Sequence, residues 1–379
     1  MLSPFENEER IAFRDSIRRF IEKDIKPYVD EWDEAGEIPW EIHEKAGAIG
    51  FFGFGIKEEY GGLGFEDCFM RAAAWEEFGK CGANGVPAAL GGRSISLGPI
   101  QDLASEEIRQ HALADIVAGR KGSSLAITEP SGGSDVANLK TTARREGDHY
   151  VVNGSKMFIT SGMRADYYTV AVRTGGPGAG GVSLLLIERD REGFARTKLK
   201  KMGWWASDTA QLFFDNVRVP AENLIGVENR GFIGIMLNFN QERLGLAAGA
   251  VGYAKVCLDE SIAYARERHT FGKPLIANQV VRHRLVDMAT RINAARSTLE
   301  LLAWRVGQGE KPVAEICMLK NLATTTMEFC ANEAMQIFGG AGYLRGAKVE
   351  RIYRETKVMS IGGGSIEIMK DLAARQMGL

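Results

Sequence analysis

Apolar residues recur at helical spacing through the first third of the chain. Between Glu6 and Ile25 the sequence follows a period close to 3.6 residues, and Pro27 ends that run. Similar spacing predicts helices over 42–49 and 69–78, and Ser105 is a favourable helix start. Residues 1–121 are therefore predicted to form an N-terminal helical domain.

The pattern changes near residue 122 to short β-rich runs at 150–152, 157–160, 167–172, 182–187 and 212–214. Asn153-Gly154 is a strong hairpin-turn signal. The glycine-rich loop 175–181 predicts an exposed hairpin tip. It differs from a phosphate loop because no Lys-Ser/Thr follows and no helix opens there. We predict a compact β domain over residues 122–229.

Helical character returns after Pro220, with candidate helices over 231–268, 278–307 and 313–338. An apolar stripe at helical spacing is typical of a bundle core or a subunit interface. Its members are Val286, Ala289, Ile292, Ala295, Leu299 and Leu302. Residues 230–379 are predicted as a helical bundle. The predicted fold class is α+β, mostly α, and the lack of βαβ alternation argues against a Rossmann domain.

Composition narrows the class of protein. The 379 residues are 45% apolar and 25% charged with a formal net charge of −2, which is ordinary for a globular chain and gives nucleic-acid binding no support. No apolar run reaches the roughly 18 residues that span a bilayer. The five cysteines form no CxxC pair and the five histidines no HExxH motif, so no metal site is expected. Reduced thiols and a start without a secretory signal favour a cytoplasmic location.

Candidate chemistry begins at 125–138, LAITEPSGGSDVAN, together with KMFIT at 156–160. Glycines let backbone amides approach a flat or anionic group, and Thr and Ser hydroxyls add short donors. Two strand ends that carry hydroxyls would frame one planar ligand. Taken alone, the same pattern also fits an ordinary loop.

Five motifs, in order and spacing, resemble the acyl-CoA dehydrogenase family over essentially the full length. They are EEYGGLG at 58–64, ITEPSGGSD at 127–135, FIT at 158–160, ERHTFGKPL at 267–275 and QIFGGAGY at 336–343. The resemblance implies an N-terminal helical domain, a middle β-barrel-like domain and a C-terminal four-helix bundle. It also implies FAD, a homotetramer built as a dimer of dimers, electron delivery to an electron-transferring flavoprotein, and a role in fatty acid β-oxidation.

The resemblance also assigns cofactor-binding residues. Those expected along the isoalloxazine ring are Thr128, Gly133, Ser134, Phe158, Ile159 and Thr160. Those expected to reach the FAD of a neighbouring subunit are Arg268, Thr270, Phe271, Gln279, Gln336 and Gly340, with Ser365 and Glu367 at the adenosine end. An Arg suits a pyrophosphate because its planar donors bind two oxygens, although Arg268 is also explained as a solvated charge at a helix end. Family members often have Trp where this chain has Phe158, and Asn138 replaces a small residue.

The reaction implied by the resemblance is α,β-dehydrogenation of an acyl-CoA thioester, in which a carboxylate removes the α-proton while a β-hydride goes to flavin N5. A flavin ribityl hydroxyl and a backbone N–H polarise the thioester carbonyl. At the usual position of the base this chain has Gly363, which carries no acid group. Glu242 matches the alternative position of isovaleryl- and long-chain-type members. We predict Glu242 as the base, Arg243 as a neighbour that lowers or orients its carboxylate, and the Gly363 N–H as a carbonyl donor.

Several alternatives stay open. Glu242 could instead be a surface carboxylate paired with a basic neighbour. In that case Glu367 is the fallback candidate for the base. The missing side chains at 362–364 are expected to leave room beside Cβ of a methyl-branched, bulky or long acyl group, while tail depth depends on residues 88–97. A flavin oxidase or monooxygenase on the same scaffold is one competing function. A non-catalytic flavoprotein scaffold is another, and Glu242 argues against it.

Overall fold

The computed structural model describes residues 5–379, except for the side chains of 92–94 and 237–238. The first part of the described chain is helical. Its helices are α1 (Glu8–Phe20), α2 (Val29–Ala35), α3 (Trp40–Ala48), α4 (Cys68–Gly79), α5 (Gly85–Leu103) and α6 (Glu106–Val117). The N-cap side chains of Asn7, Asp67 and Ser105 accept backbone N–H bonds at the starts of α1, α4 and α6, which explains where these helices begin. The helix predicted up to Ile25 instead ends at Phe20 and continues as a π-helical turn.

A single sheet follows, with a core of buried aliphatic and aromatic side chains. Its strands are β1 (Ser123–Ala126), β2 (Thr142–Glu146), β3 (His149–Thr160), β4 (Tyr167–Arg173), β5 (Val182–Glu188), β6 (Phe194–Lys198), β7 (Thr209–Pro220) and β8 (Leu224–Ile225). The strand order is β6-β7-β3-β2-β4-β5-β8, and β1 pairs parallel to β4. The predicted hairpin tip at 175–181 is confirmed, since it joins the antiparallel strands β4 and β5.

The hairpin turn predicted at Asn153-Gly154 is wrong. Strand β3 runs straight through both residues and pairs with β7 on either side of them, with a register shift between Val152 and Gly154. A Cβ at Gly154 would lie 2.7 Å from Thr141, so this glycine serves a close approach between backbones within the sheet.

The last part of the chain is helical again. Its helices are α7 (Gly231–Glu267), α8 (Gln279–Gly307), α9 (Val313–Phe338), α10 (Lys348–Met359) and α11 (Ile366–Met377), and a short hairpin of β9 (His269–Thr270) and β10 (Lys273–Pro274) lies between α7 and α8. The three long helices and the α+β, mostly helical fold class are confirmed. Of the predicted stripe on α8, Val286 is 61% exposed; the buried face includes Leu285 and Met288 instead. In residues 5–379, no helix is long and apolar enough to cross a membrane.

One buried carboxylate joins all three parts of the chain. Glu355 on α10 accepts backbone N–H bonds from Asn84 at 2.6 Å and Gly85 at 3.2 Å, at the start of α5. It accepts a third, at 3.1 Å, from Trp204 in the loop between β6 and β7. Because these donors belong to the N-terminal helices and to the sheet region, Glu355 fixes both against the C-terminal helices.

Candidate active site

The two segments predicted to frame a planar ligand lie side by side. The Met157 N–H donates to the Thr128 carbonyl at 2.8 Å, and the Ser124 hydroxyl donates to the Thr160 carbonyl at 2.6 Å. A Cβ at Gly133 would meet only the Thr128 methyl, at 3.5 Å. The exposed loop that holds Gly133 and Ser134 therefore leaves open space above these strand ends, as a flat ligand requires.

A buried ion pair supports this surface from below. Lys156 on β3 is fully buried, and its ammonium donates to Glu129 Oε1 at 2.8 Å and to the Ile127 carbonyl at 3.0 Å. The same carboxylate accepts the N–H groups of Lys140 at 2.6 Å and Thr141 at 2.8 Å. Burial alone would raise the pKa of Glu129, but the Lys156 charge and these donors lower it to about 2. The pair thus locks the loop after β1 onto β3.

Phe158 has the conformation expected of a residue that faces a ligand. Its φ of +61° is unusual for a bulky residue, and its side chain is 64% exposed although it lies next to the buried Ile159. An aromatic ring held out of the core at the end of a strand offers a flat apolar wall. The strand ends, the open loop and this ring fit an isoalloxazine ring system.

The residues predicted to reach a neighbouring cofactor form a second group, at the ends of α7 and α9. Tyr264 stacks on Phe338 with ring centroids 4.2 Å apart and ties these two helix ends together. Arg268, Thr270 and Phe271 follow the end of α7, Gln279 begins α8, and Gln336 and Gly340 lie at the end of α9; all but the partly buried Thr270 are exposed. Phe271 is completely exposed, and its φ of +51° is strained for a bulky residue. A large apolar ring left in water in this way is unfavourable on a free surface.

Glu242 lies on α7 opposite Gly363, so the two alternative positions of the base face each other. A Cβ added to Gly363 would be 3.8 Å from Glu242 Oε1. Glu242 Oε2 is fully buried and has no hydrogen-bond partner among the described residues. Burial raises the pKa of Glu242 to about 7, although the charges of Arg243 and Lys320 oppose the shift. A surface ion pair, the alternative reading of Glu242, is contradicted by this burial.

Two cations hold the glycine loop beside this carboxylate. Arg243 Nε donates to the Gly363 carbonyl at 3.2 Å, and Lys320 Nζ donates to the Gly364 carbonyl at 2.7 Å. Lys320, fully buried on α9, was not predicted from the sequence. Burial lowers its pKa to about 8 against the opposing charge of Glu242. The available signal was a lysine on the apolar face of α9 that also carries Ile316 and Ala323.

The glycines of 362–364 do not by themselves widen an acyl pocket. A Cβ at Gly363 would lie 2.6 Å from Leu246 Cδ1, and one at Gly364 would lie 2.4 Å from Met369 Cε. The expected free space is therefore occupied by protein side chains. Positive φ values of +66° and +108° give a second reason for glycine at these two positions. The Gly363 N–H makes no hydrogen bond within the described part of the chain.

Ser365 and Glu367 lie at the start of α11. The Ser365 hydroxyl accepts the Ile368 N–H at 3.4 Å as an N-cap. Glu367 is exposed, and hydrogen bonds from its own backbone N–H and from Ser365 hold its pKa below the usual range. An exposed carboxylate of low pKa is a poor fallback base compared with Glu242.

Comparison with known proteins identifies the family of the chain. Family models described as the N-terminal, middle and C-terminal domains of acyl-CoA dehydrogenase match residues 7–120, 124–217 and 229–378. The mitochondrial long-chain specific acyl-CoA dehydrogenase of Rattus norvegicus is 36% identical over 98% of this chain and 87% of its own length.

Two solved structures extend the comparison. An acyl-CoA dehydrogenase from Geobacillus kaustophilus is 38% identical, covers 100% of both chains and has a TM-score of 0.96. A glutaryl-CoA dehydrogenase from Mycobacterium smegmatis in complex with FADH2 is 26% identical over 99% of this chain and 96% of its own, with a TM-score of 0.92. The three matched domains and the full-length similarity show that the chain belongs to the acyl-CoA dehydrogenase family of FAD-dependent oxidoreductases.

Proposed function

We propose that the protein dehydrogenates an acyl-CoA to the trans-2-enoyl-CoA with Glu242 as the base. The observation that carries the proposal is a buried carboxylate without a partner, held opposite Gly363 with a pKa near 7. Glu242 takes the α-proton, and the electron pair of the Cα–H bond becomes the second bond of the new C=C. FAD, when bound, accepts the β-hydrogen as hydride. The acyl group is taken to be branched, bulky or long.

The groups around Glu242 would prepare the thioester for this step. Arg243 and Lys320 hold the carbonyls of Gly363 and Gly364, so they fix the loop on the C-terminal side of the free Gly363 N–H. A fixed donor aimed at the thioester oxygen stabilises the negative charge that develops there when the α-proton leaves. Arg243 and Lys320 are therefore positioning residues in this proposal.

A cleft at the edge of the sheet offers a site for the anionic nucleotide of CoA. It has a volume of about 470 Å³ and includes Lys140, Arg173 and Gly176. The Arg173 guanidinium donates to four backbone carbonyls, those of Ala137, Leu139, Gly176 and Gly178, and it has no carboxylate partner within the described residues. An uncompensated cation beside a lysine attracts phosphate groups, which favours a CoA ester as the substrate.

The remaining assignments are proposals of the same kind. We infer that the exposed group around Arg268 and Phe271 is covered by a neighbouring subunit and contributes to its FAD site, in a homotetramer. The complete exposure of Phe271 and the 81% exposure of Tyr343 support this, because large apolar side chains are rarely left in water.

Three further assignments are proposals of the same kind. An electron-transferring flavoprotein is the proposed electron acceptor. A cytoplasmic location stays a prediction, and the proposed domain limits are 1–121, 122–229 and 230–379.

Anaerobic titration of the FAD-loaded protein with acyl-CoA esters tests the proposal. We expect the oxidised flavin absorption to bleach with at least one of a panel of short straight, long straight and methyl-branched esters. A panel without any bleaching, at full FAD content, would overturn dehydrogenation and leave the scaffold alternative. Rapid reoxidation of the bleached flavin by oxygen, in the presence of product, would instead favour the oxidase alternative.

The rate of flavin reduction is expected to rise with pH through about 7, since only the ionised Glu242 accepts a proton and its pKa is about 7. Below that value the rate should fall about tenfold per pH unit. Stopped-flow reduction across pH 5.5–9 measures the profile, with flavin content as the control. A profile flat across about pH 6–8 would contradict the assignment.

Lys320→Met should move the pH profile of flavin reduction to higher pH, because it removes a positive charge that lowers the pKa of Glu242.

Glu242 affects folding stability in the opposite direction: its ionisation, which raises the rate of flavin reduction as the pH rises, lowers the stability of the folded protein. The folded state holds the Glu242 proton to a higher pH than the unfolded chain, whose Glu pKa is about 4.3. The contribution of Glu242 to stability is therefore fully present below the unfolded pKa of about 4.3, and it is lost as the pH rises through the folded pKa of about 7.

A further inference from the structure

The indole of Trp75 on α4 bridges α5 and α7. A Cβ at Gly91 of α5 would lie 2.5 Å from its Cη2 atom, and a Cβ at Gly245 of α7 would lie 3.0 Å from its Nε1 atom. The ring therefore fills a gap that exists only because both helices have glycine there. Phe51 packs edge-on against it with ring centroids 5.5 Å apart, which fixes the indole from a further side.

This bridge lies close to Glu242. Gly245 follows Glu242 by three residues, so both lie on neighbouring parts of one face of α7, less than one turn of about 5.4 Å apart. On the same side, a cavity of about 80 Å³ is bounded by Trp75, by Gln241 of α7 and by Leu97 and Gly98 of α5. An acyl chain whose α-carbon meets Glu242 and whose tail runs between these helices thus reaches the indole after a few carbon atoms.

The cavity beside the indole offers little room for a longer tail. About 80 Å³ compares with the ~150 Å³ of an apolar cavity that takes up benzene. Its far wall is polar, with Gln101 and the ion pair of Arg71 and Glu66. The Gln101 Oε1 atom is buried without a partner in the described chain, which disfavours contact with methylene groups.

We propose that Trp75 ends the acyl pocket and restricts this enzyme to short acyl-CoA esters, straight or methyl-branched. The proposal deepens the proposed function and rests on it. It selects short and methyl-branched substrates over the long chains that the proposed function includes. Trp75 acts here as a specificity-determining residue through its volume, while the proton transfer at Glu242 is unaffected.

The test compares the FAD-loaded wild type with Trp75→Leu on butyryl-, isovaleryl-, octanoyl- and palmitoyl-CoA, with kcat/KM from anaerobic reduction or a dye-coupled assay. The wild type should prefer butyryl- or isovaleryl-CoA over palmitoyl-CoA by roughly 100-fold or more. Trp75→Leu should raise kcat/KM for octanoyl-CoA by about 10-fold or more and leave the value for butyryl-CoA within about threefold. Trp32→Leu is the matched control, because it removes another buried indole of the N-terminal helices that does not bound the cavity.

Each other outcome has a distinct meaning. A wild type that oxidises palmitoyl-CoA as well as butyryl-CoA would overturn the proposal while dehydrogenation stands. A preference for short chains that Trp75→Leu leaves unchanged would overturn it too. If Trp75→Leu does not fold, Trp75→Phe, which keeps an aromatic ring but shortens it, should still extend the range toward octanoyl-CoA. No flavin reduction by any ester would instead be a failure of the proposed function.

Discussion

Glu242→Gln is expected to slow flavin reduction by about 10²–10⁴-fold while FAD and acyl-CoA remain bound. Glutamine has nearly the same shape as glutamate but cannot accept the α-proton. Because Oε2 of Glu242 is buried without a partner, the neutral amide should fit without leaving a charge unpaired. Rapid anaerobic mixing with the best ester of the panel gives the reduction rate, and the substrate-induced shift of the flavin spectrum reports binding.

Glu367→Gln is the matched control for this variant. Glu367 is an exposed carboxylate at the start of α11, so its substitution should leave the reduction rate within about threefold of the wild type. The assignment of Glu242 would be refuted by a Glu242→Gln protein that is reduced at the wild-type rate. A large loss in the Glu367→Gln protein alone would move the base to the other carboxylate.

Lys156→Met is expected to lower the free energy of unfolding by about 3–5 kcal/mol and to reduce FAD content in the purified protein. The substitution leaves Glu129 buried without its ammonium partner, although two backbone N–H groups still bind it. Since the pair fixes the loop after β1 to the end of β3, the strand ends that are predicted to face the flavin should separate. Urea unfolding followed by circular dichroism gives the stability, and the ratio of flavin to protein absorbance gives the occupancy.

Lys200→Met provides the comparison, because Lys200 is exposed in the same region of the chain. Its stability should stay within about 0.5 kcal/mol of the wild type. If Lys156→Met were as stable as Lys200→Met and carried a full complement of FAD, the ion pair would have no part in holding the flavin surface.

Sequence reasoning recovered those parts of the fold that local pattern controls. The long helices α7, α8 and α9 were predictable because their apolar residues keep a helical period over many turns. The strands β2 and β6 are short and largely polar, and they were missed because their strand character comes from neighbours in the sheet. The turn at Asn153-Gly154 was wrong for a similar reason, since pairing with β7 overrides the local turn preference.

The residues of the candidate site also differ in whether the sequence alone could predict them. Glu242 could be proposed from the sequence because Gly363 leaves the usual base position empty; its role as the base stays a prediction, which the burial of its carboxylate supports. Lys320 and Lys156 look like solvated charges in a sequence, and their role depends on carbonyls and carboxylates supplied by distant segments. The free space expected beside Gly363 was wrong because Leu246 fills it, a contact that no local pattern encodes.

The carboxylate of Glu355 has a consequence for how the protein is made. It binds the Asn84 N–H across a sequence separation of 271 residues, and a contact of that range can form only when almost the whole chain has left the ribosome. Until α10 exists, the first amides of α5 lack this acceptor and are left to water. A chain that stops before residue 355 should therefore accumulate as an aggregation-prone intermediate, although it contains the residues of all six N-terminal helices.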